Sequence, residues 1–221
     1  MMHSPRSQPN GTSSSSSALR KVFVTRVHQL LQFGYNRLTP AAYSQAQEPD
    51  ISGDLHQAID DVLSERVKPW MDKFSVHDDP PVHDGKRRGK RRKRVDLRID
   101  SGSYSPRARF RFEAKRLGNG HPVTMYLGVE GLGCFLCGDY AREEDHAGML
   151  GYVQAGNLVK WADKISEALD SNLAVYEVDQ SFRFAPVDLL NSGSLLGYRS
   201  KHHRSVVGKT ILIYHVLMQF Q

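Results

Sequence analysis

The chain is poor in cysteine, has no long apolar run and carries no basic excess outside one segment. Its two cysteines are Cys134 and Cys137. Two cysteines cannot form a disulfide framework, which indicates a reducing, intracellular environment. No segment combines the length and apolarity of a membrane span, and the amino terminus lacks the apolar core of a secretory signal. These absences predict a cytoplasmic protein that does not enter a membrane.

The two cysteines stand in the sequence Cys-Phe-Leu-Cys, a spacing shared by half zinc sites and redox pairs. A structural zinc site needs a second pair of ligands at suitable spacing, which the sequence lacks. A redox pair is expected where a helix begins after a strand. We therefore expect both cysteines to be small buried apolar residues.

The net charge of +6 comes from a single run. Residues 86–94 contain eight basic residues in nine, and without them 22 basic residues would face 24 acidic ones. Such a patch indicates a polyanionic partner, most simply nucleic acid, although a solvated loop would have the same composition. A second cluster, residues 198–204, predicts a basic loop that holds a backbone phosphate. The predicted nucleic-acid-binding residues are Lys86, Arg87, Arg88, Lys90, Arg91, Arg92, Lys93, Arg94, Lys201, His202 and Arg204.

Two runs of alternating apolar and polar residues, 95–100 and 109–115, predict a pair of half-buried strands. The apolar positions are Val95, Leu97, Ile99, Phe110, Phe112 and Ala114. Between the runs, residues 101–106 have the composition of a hairpin connection. If both apolar faces point into one core, Asp96, Glu113 and Lys115 project from the same polar face.

Opposed carboxylates on neighbouring strands repel each other, so a cation is expected between Asp96 and Glu113. A divalent metal ion is the natural candidate. The alternative is a set of ordinary salt bridges on an exposed sheet. Four arginines share the polar face and would make them: Arg94, Arg98, Arg109 and Arg111.

An Asp near the end of one strand and Glu-x-Lys on the next resemble the PD-(D/E)xK nuclease superfamily, which has the restriction-endonuclease-like fold. In this chain Asp96 matches the first acid, Glu113 the second and Lys115 the lysine. The proline that the motif places before the first acid is Val95 here.

The resemblance implies a Mg²⁺- or Mn²⁺-dependent nuclease, with catalytic residues Asp96, Glu113 and Lys115. The metal ion would be held by Asp96, Glu113 and the backbone carbonyl of Ala114, which are hard oxygen ligands. A helix before the strands contributes a further acid in this superfamily, and the candidates are Glu48, Asp50 and Asp54. Some families add a Gln and a Tyr, for which Gln154 and Tyr152 are candidates. The substrate would be DNA, in restriction or antiviral defence with separately encoded protein partners.

The rest of the sequence predicts an α/β (α+β) protein with a mixed central β-sheet flanked by helices and a restriction-endonuclease-like core. Residues 1–17 are expected to be a disordered tail, and 18–221 a single nuclease-like domain with a flexible basic insertion at about 75–94. Predicted helices cover 19–33, 54–67, 142–155 and 158–169; predicted strands also cover 125–135, 182–186 and 209–220. A non-catalytic nucleic-acid-binding or regulatory subunit of the same fold is the alternative function, and a scaffold for an acidic partner is the third.

Overall fold

A mixed seven-stranded sheet with helices on both faces forms the molecule. The computed structural model describes residues 12–82, 92–104, 106–190 and 192–221, with side chains from residue 17 onward. The α-helices within these ranges are α1 (Thr12–Tyr35), α2 (Glu48–Ser64), α3 (Val123–Leu127), α4 (Leu132–Leu136) and α5 (Leu158–Ser171), and short 3-10 helices cover Pro40–Tyr43 and Pro69–Lys73. The strands are β1 (Phe74–Asp78), β2 (Leu97–Ser101), β3 (Ala108–Leu117), β4 (His146–Val153), β5 (Ala185–Pro186), β6 (Leu195–Arg204) and β7 (Lys209–Gln219).

The strand order is β1-β2-β3-β4-β7-β6-β5. The central pairs β3–β4 and β4–β7 are parallel, whereas the pairs on either side are antiparallel. In the β2–β3 hairpin Leu97 pairs with Phe112 and Ile99 with Phe110. This register aligns the polar residues of both strands on the opposite face.

Each face of the sheet has its own hydrophobic core. On one face α1 and α2 pack against the apolar side of the β2–β3 hairpin. On the other face α3, α4 and α5 cover β4 and β7. Strands buried on both sides are rich in apolar residues rather than alternating, and β4 is buried almost throughout. None of the helices in the described ranges is long and apolar enough to cross a bilayer.

The structure confirms an α/β fold with a mixed sheet flanked by helices, and it contains the predicted hairpin, the helix at 158–169 and the carboxyl-terminal strand. Two helices begin earlier than predicted. Helix α1 begins at Thr12, inside the expected disordered tail, and α2 begins at Glu48 rather than at residue 54. Part of the stretch that was expected to be a flexible insertion is regular structure, because β1 occupies Phe74–Asp78 and Pro81 bridges to Arg94; residues 83–91 lie outside the described ranges.

Three predicted elements are of the wrong type. Residues 142–155 are not a helix but contain β4, whose near-continuous burial on both faces hides the period of a strand. Residues 125–135 are not a strand but span α3 and α4, with Gly131 turning between them: a Cβ there would lie 2.2 Å from the Tyr126 carbonyl oxygen. Residues 198–204 are not a loop but belong to β6. The strand predicted at 182–186 is reduced to Ala185–Pro186.

Candidate active site

The β2–β3 pairing brings Asp96, Glu113 and Lys115 to one place. Asp96 directly precedes β2, and because Leu97 pairs with Phe112, Asp96 comes level with Glu113. One Asp96 carboxylate oxygen, Oδ2, accepts a hydrogen bond from the Ala114 backbone N–H at 2.6 Å. The Lys115 Nζ donates to Glu113 Oε1 at 2.8 Å and to the Ala114 carbonyl oxygen at 2.7 Å.

A fourth group comes from the first residue of α2. Lys115 Nζ donates to Glu48 Oε1 at 2.9 Å, and the backbone N–H of Arg116 donates to Glu48 Oε2 at 3.2 Å. Of the three acids considered for this helix, Glu48 is therefore the one at the site. Asp50 is exposed, and Asp54 accepts from the Tyr43 hydroxyl.

The two polar residues at the end of β4 hold this helix in place rather than reaching the carboxylates. The Tyr152 and Ser52 hydroxyls lie 2.9 Å apart. Gln154 Nε2 donates to the carbonyl oxygens of Tyr43 at 2.7 Å and Ala46 at 2.8 Å. Gln154 thus fixes the turn that leads into α2, and through it the position of Glu48.

Burial sets the electrostatics of the site. Glu113 is 6% exposed. Burial and the neighbouring Asp96 charge raise the pKa of Glu113 from 4.5 to about 8, against the opposing effect of Lys115. Burial also raises the pKa of Asp96, although the Ala114 N–H and Lys115 oppose that shift. Burial alone would lower the pKa of Lys115, but the Glu113 and Glu48 carboxylates outweigh it and raise the pKa above its usual range.

The Lys115 ammonium lies between Glu113 and Glu48, and among the described residues no cation forms a salt bridge with Asp96. One oxygen of Glu113, Oε2, is buried and accepts no hydrogen bond from the described residues, and the Asp96 carboxyl group lies beside Glu113. Buried polar atoms without a partner are rare in folded proteins. Glu113 Oε2, the Asp96 carboxylate and the Ala114 carbonyl together form a set of hard oxygen donors of the kind that Mg²⁺ and Mn²⁺ prefer. Within the described ranges no three His, Cys, Asp or Glu side chains stand close enough to hold one metal ion, so a site here depends on the backbone oxygen as well.

Sequence reasoning missed the side wall of the site, which comes from α4 and the turn after it. Cys134 and Tyr140 lie near Glu113, whose charge contributes, after burial, to raising the pKa of both; that of Cys134 rises to about 11. The Tyr140 hydroxyl donates to the Arg94 carbonyl oxygen at 2.6 Å. Cys134 is buried as expected, but Cys137 is exposed, contrary to the prediction. No local sequence pattern marks this wall, because its residues reach Glu113 only through the packing of α4.

The predicted nucleic-acid-binding residues divide into four groups, the last of which is the buried pair His202 and Arg204. Lys86, Arg87, Arg88, Lys90 and Arg91 lie outside the described residues. Arg92, Lys93 and Arg94 lead directly into Asp96; Lys93 pairs with Asp139 at 2.9 Å, and Arg94 pairs with Asp79. Lys201 is partly exposed and pairs with Asp179 at 2.9 Å.

His202 and Arg204 cannot contact a nucleic acid, which corrects the sequence prediction. His202 is fully buried and is hydrogen-bonded to Ser200 and to the Tyr176 carbonyl oxygen. Arg204 is 1% exposed, and its guanidinium donates to carbonyl oxygens of the segment that precedes β4. Both side chains stabilise the sheet.

The arginines of the polar face do not neutralise the two acids. Arg98 pairs with Asp100 at 3.0 Å, Arg111 with Glu144, and Arg94 with Asp79. Glu113 is buried and takes Lys115 as its ionic partner. The arrangement is therefore not that of an exposed, salt-bridged sheet surface.

The chain was compared with protein-family models, with curated proteins and with solved structures. None of the three comparisons found a match.

Proposed function

We propose that the protein is a metal-dependent phosphodiesterase that hydrolyses nucleic acid. The observation that carries the proposal is the convergence of Asp96, Glu113, Lys115 and Glu48 from three separate parts of the chain, with a buried Glu113 oxygen that accepts no hydrogen bond from the described residues. A cluster that served only as a set of structural ion pairs would not need to bury Glu113 Oε2 without a hydrogen-bond donor. The restriction-endonuclease-like core and the PD-(D/E)xK resemblance belong to the same proposal.

In this reaction the acids and the lysine have distinct tasks. Asp96, Glu113 and the Ala114 carbonyl would hold Mg²⁺ or Mn²⁺, which supplies a polarised phosphoryl oxygen and a more acidic bound water. The Ala114 N–H orients the Asp96 carboxylate towards that position. Glu113 must lose its proton before it can bind a cation.

Lys115 acts as a donor of charge and hydrogen bonds rather than as a base. Its raised pKa keeps the ammonium protonated throughout the physiological range. A fixed ammonium beside the phosphate orients the attacking water or stabilises the negative charge that develops on the phosphoryl oxygens. Glu48 keeps the lysine at the site through its contact with Nζ.

The cations that precede the site favour a polyanionic substrate. Lys93 and Arg94 lie within three residues of Asp96 and continue the basic run 86–94. Contacts of this kind contribute affinity that falls with salt concentration. DNA is the proposed substrate, and a role in restriction or antiviral defence, with separately encoded partners, rests on analogy with the superfamily.

A plasmid-nicking assay tests the proposal. With Mg²⁺ the wild type should nick supercoiled DNA, whereas Asp96→Asn, Glu113→Gln and Lys115→Ala should each lose at least about a hundredfold in rate. Glu167→Gln and Lys160→Ala alter exposed residues of α5 and should cleave like the wild type. DNA binding, measured by fluorescence anisotropy, should persist in all five variants.

Equal behaviour of the wild type and the site variants would overturn the enzyme and leave a non-catalytic nucleic-acid-binding protein. The contact that favours this second candidate is the engagement of Glu48 and Glu113 by one lysine, which neutralises the site without a metal ion. Mg²⁺ binding also distinguishes the two candidates. Only the enzyme should bind Mg²⁺ at this site, and Glu113→Gln should abolish that binding.

A further inference from the structure

A second site lies on the α1 face of the sheet, away from the carboxylates. It is a cavity of about 730 Å³ between the amino-terminal half of α1, the segment 182–189 and the strands β6 and β7. The cavity reaches Asp145 and His146 at the start of β4, whereas Glu113 and Lys115 pair with Met149 and Gly151 further along that strand. Its volume is in the range of natural small-molecule sites.

The charge of the cavity wall is mainly positive. Arg20 and Lys21 come from α1, and Arg199 and Lys201 come from β6, against two acids, Asp145 and Asp188. Arg20 is paired with Asp145, and Lys201 with Asp179 outside the lining. Lys21 and Arg199 have no carboxylate partner among the residues that the structure describes. The wall therefore keeps two cations whose charge the protein does not neutralise.

Arg199 is held in a fixed position without using its hydrogen-bonding capacity. Its guanidinium carbon lies 4.7 Å from the centre of the Phe182 ring. The Nε atom is buried and has no acceptor within the described ranges. A planar guanidinium stacked on an aromatic ring keeps its remaining donors oriented, which suits recognition of a phosphate.

Tyr214 supplies a hydroxyl group to the cavity lining. The residue is 8% exposed, and its ring packs edge-on against His28 with centroids 5.1 Å apart. The hydroxyl makes no hydrogen bond with any described residue but is not itself fully buried, so it is available to a ligand in the cavity.

The remaining lining is apolar, and it contains Val24, Val187, Leu189 and Leu212. An inorganic anion would contact the cations but would make no contact with this apolar surface. A ligand that fills the cavity therefore has a phosphate part and a flat, weakly polar part. We propose that the cavity binds a nucleotide, with its phosphates at Arg199 and Lys21 and its base against the apolar wall.

Calorimetric titration of the full chain with ADP and with pyrophosphate tests this proposal. ADP should bind with a Kd below about 1 mM, and pyrophosphate at least about tenfold more weakly. Arg199→Gln should weaken ADP binding by about tenfold or more, because it removes a charge-assisted hydrogen bond. Tyr214→Phe removes only the hydroxyl and gives a second variant should Arg199→Gln fail to fold. Arg183→Gln is the matched control, since Arg183 is exposed and paired with Asp170 outside the cavity.

Absence of ADP binding, or unchanged binding by both cavity variants, would overturn the nucleotide site. Pyrophosphate binding as tight as that of ADP would also overturn it, because the base would then contribute nothing. Glu113→Gln should bind ADP like the wild type, so this result is independent of whether the protein cleaves DNA.

Discussion

At the scale of single residues, Glu113 controls the response of the site to pH. The pKa of Glu113 is about 8 in the folded chain, whereas the ordinary value for a glutamate is 4.5. An acid whose pKa is raised by folding contributes stability that is present below its unfolded pKa and lost as pH rises through its folded pKa. The metal-free protein should therefore lose stability between pH 5 and pH 9 through this group.

Glu113→Gln should remove that loss. Glutamine keeps an acceptor for Lys115 and cannot ionise, so the variant should be more stable than the wild type at pH 9 by about 4 kcal/mol and similar to it near pH 5. Urea unfolding in EDTA at several pH values measures the difference. Glu167→Gln serves as the control, and an identical pH profile for Glu113→Gln and wild type would contradict the prediction.

Lys115 links stability to metal binding. Lys115→Ala leaves Glu113 and Glu48 without their ammonium, and removal of one partner from a buried pair costs about 3 kcal/mol. Mg²⁺ should restore part of this loss, so its stabilising effect should be larger in Lys115→Ala than in the wild type. Thermal unfolding with and without Mg²⁺ checks this, with Lys160→Ala as the control. An equal Mg²⁺ effect in both proteins would count against a metal site at these acids.

The convergence of Asp96, Glu113 and Lys115 was predictable because alternation in both runs of a hairpin puts these three residues on one face of the sheet. The position of Glu48, the fourth residue of the site, was not predictable. Glu48, Asp50 and Asp54 are equivalent acids in the sequence, and the choice among them depends on Gln154 and Tyr152, which hold α2 from more than a hundred residues away. The burial of His202 and Arg204 was hidden for the same reason, since their partners include backbone carbonyls of distant segments.

At the scale of elements, β4 depends on a glycine for its contact with β3. A Cβ on Gly148 would lie 2.2 Å from two atoms of the Phe112 ring. Phe112 is fully buried next to Phe110, so the ring has little room to move. This packing is the reason why a segment with two glycines forms a strand in the middle of the sheet and not the helix that its spacing suggested.

Gly148→Ala should therefore destabilise the protein by about 1–3 kcal/mol through overpacking. Gly53→Ala is the matched control, because a Cβ there would meet nothing within 4 Å and alanine favours the helix by about 0.5–1 kcal/mol. Urea denaturation compares the two variants. Similar stabilities for both would show that the Phe112 ring can shift without cost.

At the scale of the whole molecule, buried histidines make the fold sensitive to acid. Burial lowers the pKa of His28 and His202 to about 4, and that of His215 well below its usual range. A histidine whose pKa is lowered by folding contributes stability above pH 6.5 that is lost as pH falls towards its folded value. Each contributes a slope of about 1.4 kcal/mol per pH unit in that window.

His28→Leu should reduce the slope of the unfolding free energy against pH by the contribution of one histidine. The substitution also removes a buried Nε2 atom that has no partner in the described part of the chain. Urea unfolding measures the free energy of unfolding at pH 5 and at pH 7. The difference between these two values should be smaller in His28→Leu than in the wild type by about 2 kcal/mol. Lys160→Ala, at an exposed position of α5, serves as the control. A slope unaltered by His28→Leu would show that this histidine is already protonated in the native state.

The position of β7 in the sheet affects how the chain can fold. This strand, Lys209–Gln219, follows β4 and β6 in the sequence, yet it lies between them and pairs with both. Before β7 is in place, β4 has an edge with open backbone groups beside the hairpin that carries Asp96, Glu113 and Lys115. Such edges pair readily with other chains. A partly folded chain in which β7 is not yet inserted is therefore prone to aggregation, and this tendency should end when the strand joins the sheet.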